Sequence, residues 1–203
     1  MTMIGSATEL RECYPQPLER SLRKSLPKLD AHMRRFISLS PFLCLGTSGD
    51  GGADVTPRGD SPGFVQVLDD QTLLIPDWPG NNRLDSLTNV VTNPNVGLLF
   101  FIPGVNETLR VNGPGEITME PALLERWTVN EKHPRSALRV AVREAYLHCA
   151  KALIRSKLWS GDYRIDRSEL PSYARMLKDQ GVTTQSVQEL QSAIDESYST
   201  RLY

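Results

Sequence analysis

Apolar residues in the middle of the chain fall into short runs separated by polar turns, the pattern of an antiparallel β protein. Two of these turns, at residues 48–52 and 69–71, are rich in Gly or Asp, which favour hairpins. We predict strands at residues 42–47, 53–57, 64–68, 72–75, 96–102, 109–117 and 138–146. Six to seven such strands predict an antiparallel barrel or sandwich rather than a doubly wound parallel sheet.

The ends of the chain, and some connections between strands, have helical spacing instead. Leu18, Leu22 and Leu26, for example, recur every four residues. We predict helices within residues 6–40 and at 84–92, 120–130, 148–158, 170–180 and 184–202. The chain thus divides into a helical N-terminal arm (1–40), a barrel domain (41–160) and a C-terminal helical extension (161–203).

The turn at residues 79–83 carries the clearest chemical signal. It places Asn82 and Arg83 just before the helix predicted at 84–92. A helix start leaves backbone N–H groups unpaired and carries a partial positive charge, so it accepts an anion such as phosphate. The Arg83 guanidinium would add a fork of donors, whereas Asp85 would repel the anion unless its carboxylate points away. A solvated turn is the alternative interpretation.

The segments around this turn resemble a known family. The strand at 72–75, the pair Asn82 and Arg83, and a helix are followed by N-P-N-V-G-L-L-F-F (93–101) and N-E-T-L-R-V-N-G (106–113). The later H-C-A-K-A-L-I-R (148–155) is similar to an N-C-P-K-Y-I-Q element of many relatives. In this order the segments resemble the pyridoxamine 5'-phosphate oxidase-like flavoproteins. The resemblance implies a mainly β fold with peripheral helices, the FMN-binding split β-barrel, with FMN as cofactor.

The resemblance also implies how one chain would contact the flavin. Asn82 and Arg83 would bind the phosphate, and Arg58 would lie beside the phosphate and the ribityl chain. A loop arginine paired with Asp60 is the alternative for Arg58. The main chain of four consecutive residues would follow the flavin ring, and the last of them would stack on the ring or shield it. These four residues are Ile75, Pro76, Asp77 and Trp78.

Three later positions complete the implied site. Thr108 would touch the cofactor from the returning strand, although a plain β-branched strand residue is the alternative. Lys151 would reach across a homodimer interface to the flavin of the other subunit, where a cation stabilises the reduced ring. Arg155 shares the helix face of Lys151, and a solvated face is the alternative for both. The resemblance therefore implies a homodimer with FMN at the subunit interface.

Composition and charge restrict the partners and the compartment. A net charge of −1 over 203 residues and the lack of a basic, aromatic stripe argue against nucleic acid. The apolar runs are too short to span a membrane, and the N-terminus lacks a basic region followed by an apolar run. Three widely spaced cysteines argue against a disulfide framework and a zinc site. We expect a cytoplasmic protein without a metal.

The resemblance therefore implies an FMN-dependent oxidoreductase that carries out two-electron redox of an unknown small molecule at flavin N5. No lysine follows Arg58 at the spacing of the vitamin B6 oxidases, so the resemblance does not extend to their substrate. Two alternatives stay open. One is a non-catalytic flavin-binding or sensing module, and the other is a reductase that uses the deazaflavin F420.

Overall fold

The structure, a computed structural model, describes residues 3–203; Met1 and Thr2, which begin the predicted N-terminal arm, lie outside them. Within the described residues, eight strands form one antiparallel sheet in the order β2-β1-β5-β6-β7-β4-β3, with β8 paired to β6. The strands are β1 Phe42–Gly49, β2 Gly52–Gly59, β3 Gln66–Val67, β4 Thr72–Asp77, β5 Asn95–Phe101, β6 Thr108–Thr118, β7 Ser136–Ala141 and β8 Glu144–His148. The predicted split barrel is confirmed, with eight strands in place of six or seven.

Strand β6 joins the two halves of the barrel. Its first half pairs with β5 and β8, and its second half, from Gly115 to Thr118, pairs with β7. Gly113 lies at the change of partner, where a Cβ atom would be 1.8 Å from the carbonyl oxygen of Ala141. A glycine is therefore required for the two backbones to approach here.

The prediction of one strand at 138–146 was wrong. The chain forms β7 and β8 there, with a break at Val142 and Arg143, because the two strands pair with different halves of β6. Buried positions change phase across the break, from Val140 and Val142 to Ala145. This phase change is the sequence signal that reveals two strands, since a single strand keeps a period of two.

Helices lie at the periphery and at both ends. Those of the described residues are α1 Ala7–Glu12, α2 Glu19–Arg23, α3 Ala31–Leu39, α4 Asp85–Thr92, α5 Pro121–Leu124, α6 Lys151–Ser156, α7 Tyr173–Asp179 and α8 Val187–Thr200. The helix predicted at 120–130 ends early, because Trp127 turns inward and its Nε1–H donates to the Phe64 carbonyl oxygen (2.7 Å). Helix α8 begins at a capping box formed by Ser186 and Glu189.

The main core lies inside the barrel and includes one helix of the predicted arm. Helix α3 is capped by Asp30, whose carboxylate accepts from the Met33 N–H (2.8 Å), and it buries Met33, Phe36 and Ile37. Helices α1 and α2 bury none of their described residues. The strands contribute most of the remaining core: Leu43, Leu45, Leu73, Ile75, Leu98, Phe100, Leu109, Val111, Leu138 and Val140. In residues 3–203 no helix is both long and apolar enough to cross a membrane.

Candidate functional site

A cleft of about 640 Å³ opens where the end of β4 and the start of α4 face strand β2. This volume is in the range of about 300–1,000 Å³ that is typical of small-molecule sites. Strand β2 is first in the strand order and β4 is last but one, and they do not pair with each other, so the cleft occupies the split of the barrel. Its lining includes Asp54, Thr56, Arg58, Asp77, Trp78, residues 79–87, Ile117, Met119, Arg135 and Ser136.

An ion pair spans the split at one side of the cleft. Arg58 Nη1 on β2 lies 2.7 Å from Asp77 Oδ1 on β4, and the two side chains are only 22% and 18% exposed. The alternative pairing of Arg58 with Asp60 is wrong, because Asp60 accepts instead from the hydroxyl of Tyr203 (2.7 Å). Both Arg58 and Asp77 were named from the sequence as candidate cofactor-binding residues, and their mutual contact follows only from the closure of the barrel.

The start of α4 forms the opposite side. Within the described residues no side chain caps this helix, whose N-cap residue is Leu84. Leu84 (φ 59°) and Asn82 (φ 57°) both have left-handed backbone, which is unfavourable for leucine and occurs most often where a loop is tightly constrained. The carboxamide of Asn81 accepts from the Arg83 N–H (3.0 Å). The turn therefore presents an uncapped helix start to the cleft, as the sequence predicts.

Arg83 lies at this helix start and is already paired with a carboxylate. Its Nε is 2.8 Å from Asp85 Oδ2, and the two side chains are 73% and 50% exposed. The Asp85 carboxylate thus does not point away, and an anion would have to replace it at the guanidinium. Because exposed ion pairs contribute only about 0–1 kcal/mol, that exchange costs little.

Three oxygen-bearing side chains form the floor between β2 and α4. Asp54 Oδ2 accepts from the hydroxyls of Thr56 (3.0 Å) and Ser86 (2.9 Å), and the two hydroxyls are 2.6 Å apart. Ser86 is buried. This cluster was not predicted from the sequence. The one sequence signal for the cluster is the alternation of Asp54, Thr56 and Arg58, which places all three on the same face of β2.

Trp78 follows Asp77 and forms part of the wall at the end of β4. Its indole packs beside a small cluster that contains Leu74, Leu124 and Trp127. The Trp78 Nε1–H is buried and finds no acceptor among the described residues. The ring of Tyr203 meets the indole edge-on, with centroids 5.0 Å apart and planes at 84°. Hydrogen bonding to Asp60, burial and the charge of Asp60 together raise the pKa of Tyr203.

Arg135 is a further cation that sequence reasoning missed. It lines the cleft directly before β7, and its N–H donates to the Asp77 carbonyl oxygen (3.2 Å). In the described part of the chain its guanidinium pairs with no carboxylate, whereas Arg58 and Arg83 are both paired. The lining thus balances Arg58, Arg83 and Arg135 against Asp54, Asp77 and Asp85. An anion that entered the cleft would reach the Arg135 guanidinium without displacing any carboxylate of residues 3–203.

The other predicted site residues of a chain do not line the cleft of that same chain. Ile75 and Pro76 are buried in β4, paired with Leu138 and Ala137 of β7. Thr108 is buried at the start of β6, about 30 Å along that strand from Ile117, which lines the cleft. Lys151 and Arg155 are exposed on α6. The roles expected for these residues stay predictions.

A second polar cluster lies on β6 and β8, near Thr108. Lys24 Nζ and the Arg110 guanidinium lie over the ring of Tyr146, at 4.9 and 5.6 Å from its centroid. Burial and the charges of Arg110 and Lys24 lower the pKa of His148. At the other end of β8, hydrogen bonds from Ser25 and Asn112 lower the pKa of Glu144. The described residues contain no group of three or more His, Cys, Asp or Glu placed to hold a metal.

Comparison with known proteins gives one family match. The sequence model described as pyridoxamine 5'-phosphate oxidase matches residues 29–149, more than half of the chain. A comparison with curated proteins gives no match.

Several solved structures are similar to the chain over about three-fifths of its length. HupZ of Group A Streptococcus has a TM-score of 0.48 at 16% identity, covering 59% of this chain and 93% of that one. General stress protein 26 of Bacillus anthracis has a TM-score of 0.41 at 17% identity, covering 57% and 93%. An FAD binding protein of Mycobacterium smegmatis has a TM-score of 0.42 at 16% identity, covering 61% and 97%.

Proposed function

Because the chain belongs to the pyridoxamine 5'-phosphate oxidase family, we propose that its cleft binds FMN and that the protein is an FMN-dependent oxidoreductase acting on a small molecule. The observation that carries the proposal is the convergence of Arg58, Arg83 and Arg135 on one cleft at an uncapped helix start. A doubly charged phosphate needs such a set of donors, and a neutral ligand does not.

The phosphate end of FMN fits the α4 side of the cleft. Arg83, the N–H groups of the first turn of α4 and the side chain of Asn82 would hold the phosphate oxygens. Arg58 and Arg135 would add cations from β2 and from the start of β7. The hydroxyls of Thr56 and Ser86, both turned to Asp54, supply neutral polar groups between these cations, suited to a polyhydroxy chain.

The ring end fits the wall formed by β4 and Trp78. The indole offers a flat apolar surface, and its Nε1–H lacks a partner within residues 3–203, an arrangement that costs about 1–3 kcal/mol for a buried donor. Ile117 and Met119 line the cleft from the end of β6 with further apolar surface. This chain would thus bind the phosphate through charged side chains and bind the ring mainly by apolar contact.

A homodimer belongs to the same proposal and explains the positions of the distant predicted residues. Thr108, Lys151 and Arg155 lie away from the cleft of their own chain, so only a second copy would bring them to a flavin. The outer face of β2, β1 and β5 suits such packing. Gly46 pairs with both Gly97 and Val55 there, which leaves a flat surface beside an exposed valine.

When bound, FMN supplies two-electron chemistry by exchanging a hydride at its N5 atom. The protein would bind FMN, orient it and tune the stability of its reduced form. The ion pair of Arg58 and Asp77 joins β2 to β4 across the split, which fixes the width of the cleft. A cation beside the ring would stabilise its reduced form, the role proposed for Lys151. A cytoplasmic location also belongs to the proposal and agrees with three free cysteines: Cys13, Cys44 and Cys149.

The absorbance spectrum of the purified protein tests the proposal. We expect a flavin spectrum after incubation with FMN and gel filtration, and bleaching when a reduced nicotinamide is added without oxygen. A bound flavin that no reductant of this kind bleaches would favour the non-catalytic binding module. A copurifying chromophore that absorbs at shorter wavelength would favour F420. A protein that retains no flavin at all would contradict the proposal.

A further inference from the structure

Tyr203 is attached to the barrel by three contacts from three segments. Its hydroxyl donates to Asp60 Oδ1 (2.7 Å), and its ring meets the Trp78 indole edge-on. Its main-chain carbonyl oxygen accepts from Lys132 Nζ (3.0 Å) in the loop between α5 and β7. Asp60 and Lys132 are 143 and 71 residues away along the chain, so these tertiary contacts hold Tyr203 against the barrel.

The position of Tyr203 relates directly to the split of the barrel. Asp60 directly follows β2, and Trp78 directly follows β4. The ion pair of Arg58 and Asp77 joins the same two strands. Tyr203 therefore makes a second connection across the split. Its partner Asp60 is two residues after Arg58, and its partner Trp78 is one residue after Asp77.

The orientation of Trp78 depends on packing rather than on a hydrogen bond. Its Nε1–H finds no acceptor in residues 3–203, so no polar contact fixes the plane of the indole. The apolar cluster of Leu74, Leu124 and Trp127 lies beside it, and the edge-on ring of Tyr203 adds an aromatic contact of defined geometry. Edge-to-face aromatic pairs have preferred angles, so the tyrosine ring restricts the rotation of the indole.

We propose that Tyr203 is a positioning residue of the cleft: it fixes Trp78 against the end of β4 and so sets the affinity for the ring of the bound ligand. This inference rests on the proposed function, since it takes the cleft as the flavin site. It gives the helices α7 and α8 a role in the site, because they carry the chain to Tyr203. Tyr203 does not itself line the cleft, so it acts through Trp78.

The test compares Tyr203→Ala and Tyr203→Phe with Tyr198→Ala, a control at an exposed tyrosine of α8. FMN affinity is measured by quenching of flavin fluorescence. We expect Tyr203→Ala to weaken binding about three- to tenfold and the control to stay within about twofold. Tyr203→Phe keeps the ring contact and loses the Asp60 hydrogen bond. Its FMN affinity should therefore lie between those of Tyr203→Ala and Tyr198→Ala, and the variant should remain folded.

A double-mutant cycle separates positioning from a general structural role. In a Trp78→Leu background, Tyr203→Ala should cause no further loss of FMN affinity, although it still lowers the melting temperature. An equal loss of affinity in both backgrounds would overturn the proposal, as would unchanged affinity in Tyr203→Ala.

A measurement without ligand keeps this test independent of the proposed function. Acrylamide quenching of tryptophan fluorescence should rise in Tyr203→Ala, and the rise should vanish when Trp78 is replaced by Leu. If the wild-type protein binds no FMN, the proposed function fails, while the quenching still decides whether Tyr203 fixes Trp78. Unchanged quenching in Tyr203→Ala would refute the positioning role whatever the ligand.

Discussion

At the scale of single residues, carboxylates of the protein and a bound phosphate would compete for the same arginine side chains of the cleft. Arg58 and Arg83 each hold a carboxylate, and Arg135 holds none in the described part of the chain. The pair of Arg58 and Asp77 is shielded and connects two strands, so it serves the structure. The pair of Arg83 and Asp85 is exposed and local, so a phosphate can replace the carboxylate at little cost.

Asp85→Asn should therefore strengthen FMN binding by about two- to fivefold, because the phosphate no longer competes with a carboxylate for Arg83. Titration of the variant with FMN at low salt measures the effect. Asp179→Asn is the matched control, since Asp179 Oδ2 lies 2.9 Å from Arg175 Nε in a similarly exposed pair on α7. Weaker binding in Asp85→Asn would show that Asp85 supports the site rather than competing within it.

His148 gives a prediction on pH and stability. Burial and the cations Arg110 and Lys24 hold its pKa below the ordinary value of 6.5, so the folded state favours the neutral imidazole. Its contribution to stability is present above pH 6.5 and is lost as the pH falls through the lowered pKa. Urea unfolding between pH 7.5 and 5 should show this loss, and His148→Gln should reduce it. If the free energy of unfolding of His148→Gln fell with decreasing pH as steeply as that of the wild-type protein, His148 would be excluded as the source of the loss.

At the scale of elements, β6 decides how the barrel is divided. The strand changes partner from β8 to β7 near Gly113, and the break between β7 and β8 follows from this change. The alternation of apolar residues predicts strand positions well, because each strand has one face toward the core. It does not show which strand pairs with which, so the sequence predicted a single strand where two form.

Gly113→Ala should lower the free energy of unfolding by at least about 2 kcal/mol, because the new methyl group would meet the Ala141 carbonyl oxygen at 1.8 Å. Urea denaturation measures the difference. Gly51→Ala is the control, since its Cβ would meet nothing within 4 Å. Equal stability of the two variants would mean that β6 and the break after β7 are not in close backbone contact.

At the scale of the whole molecule, the sequence predicts local features of the site better than distant ones. Asn82 and Arg83 could be placed near one another from the sequence because a turn and a helix start are local, and the family resemblance pointed to Arg58; all three line the cleft, and their roles stay predictions. Arg135 joins the cleft only through the closure of the barrel, as does the contact of Ser86 with Asp54. Tyr203 contacts Asp60 across 143 residues, and no periodicity reports a contact of that separation.

The proposed homodimer gives a prediction at the same scale. Val55 is 69% exposed on the outer face of β2, and a second copy would cover it. Val55→Glu should shift the protein from dimer to monomer in light scattering and weaken FMN binding in parallel. Val182→Glu, at a valine 65% exposed between α7 and α8, should leave the mass unchanged. A wild-type protein that is monomeric with FMN bound would contradict the dimer.

The most direct measurement compares FMN with riboflavin, which lacks the phosphate, in titrations of the wild-type protein and of Arg83→Ala. One charge-assisted contact contributes about 1.5–3 kcal/mol, so the wild type should prefer FMN by at least about tenfold. Arg83→Ala should lose most of that preference, and Arg175→Ala, which breaks the matched pair on α7, should keep it. Equal affinity of the wild-type protein for FMN and riboflavin would contradict a phosphate site at the start of α4.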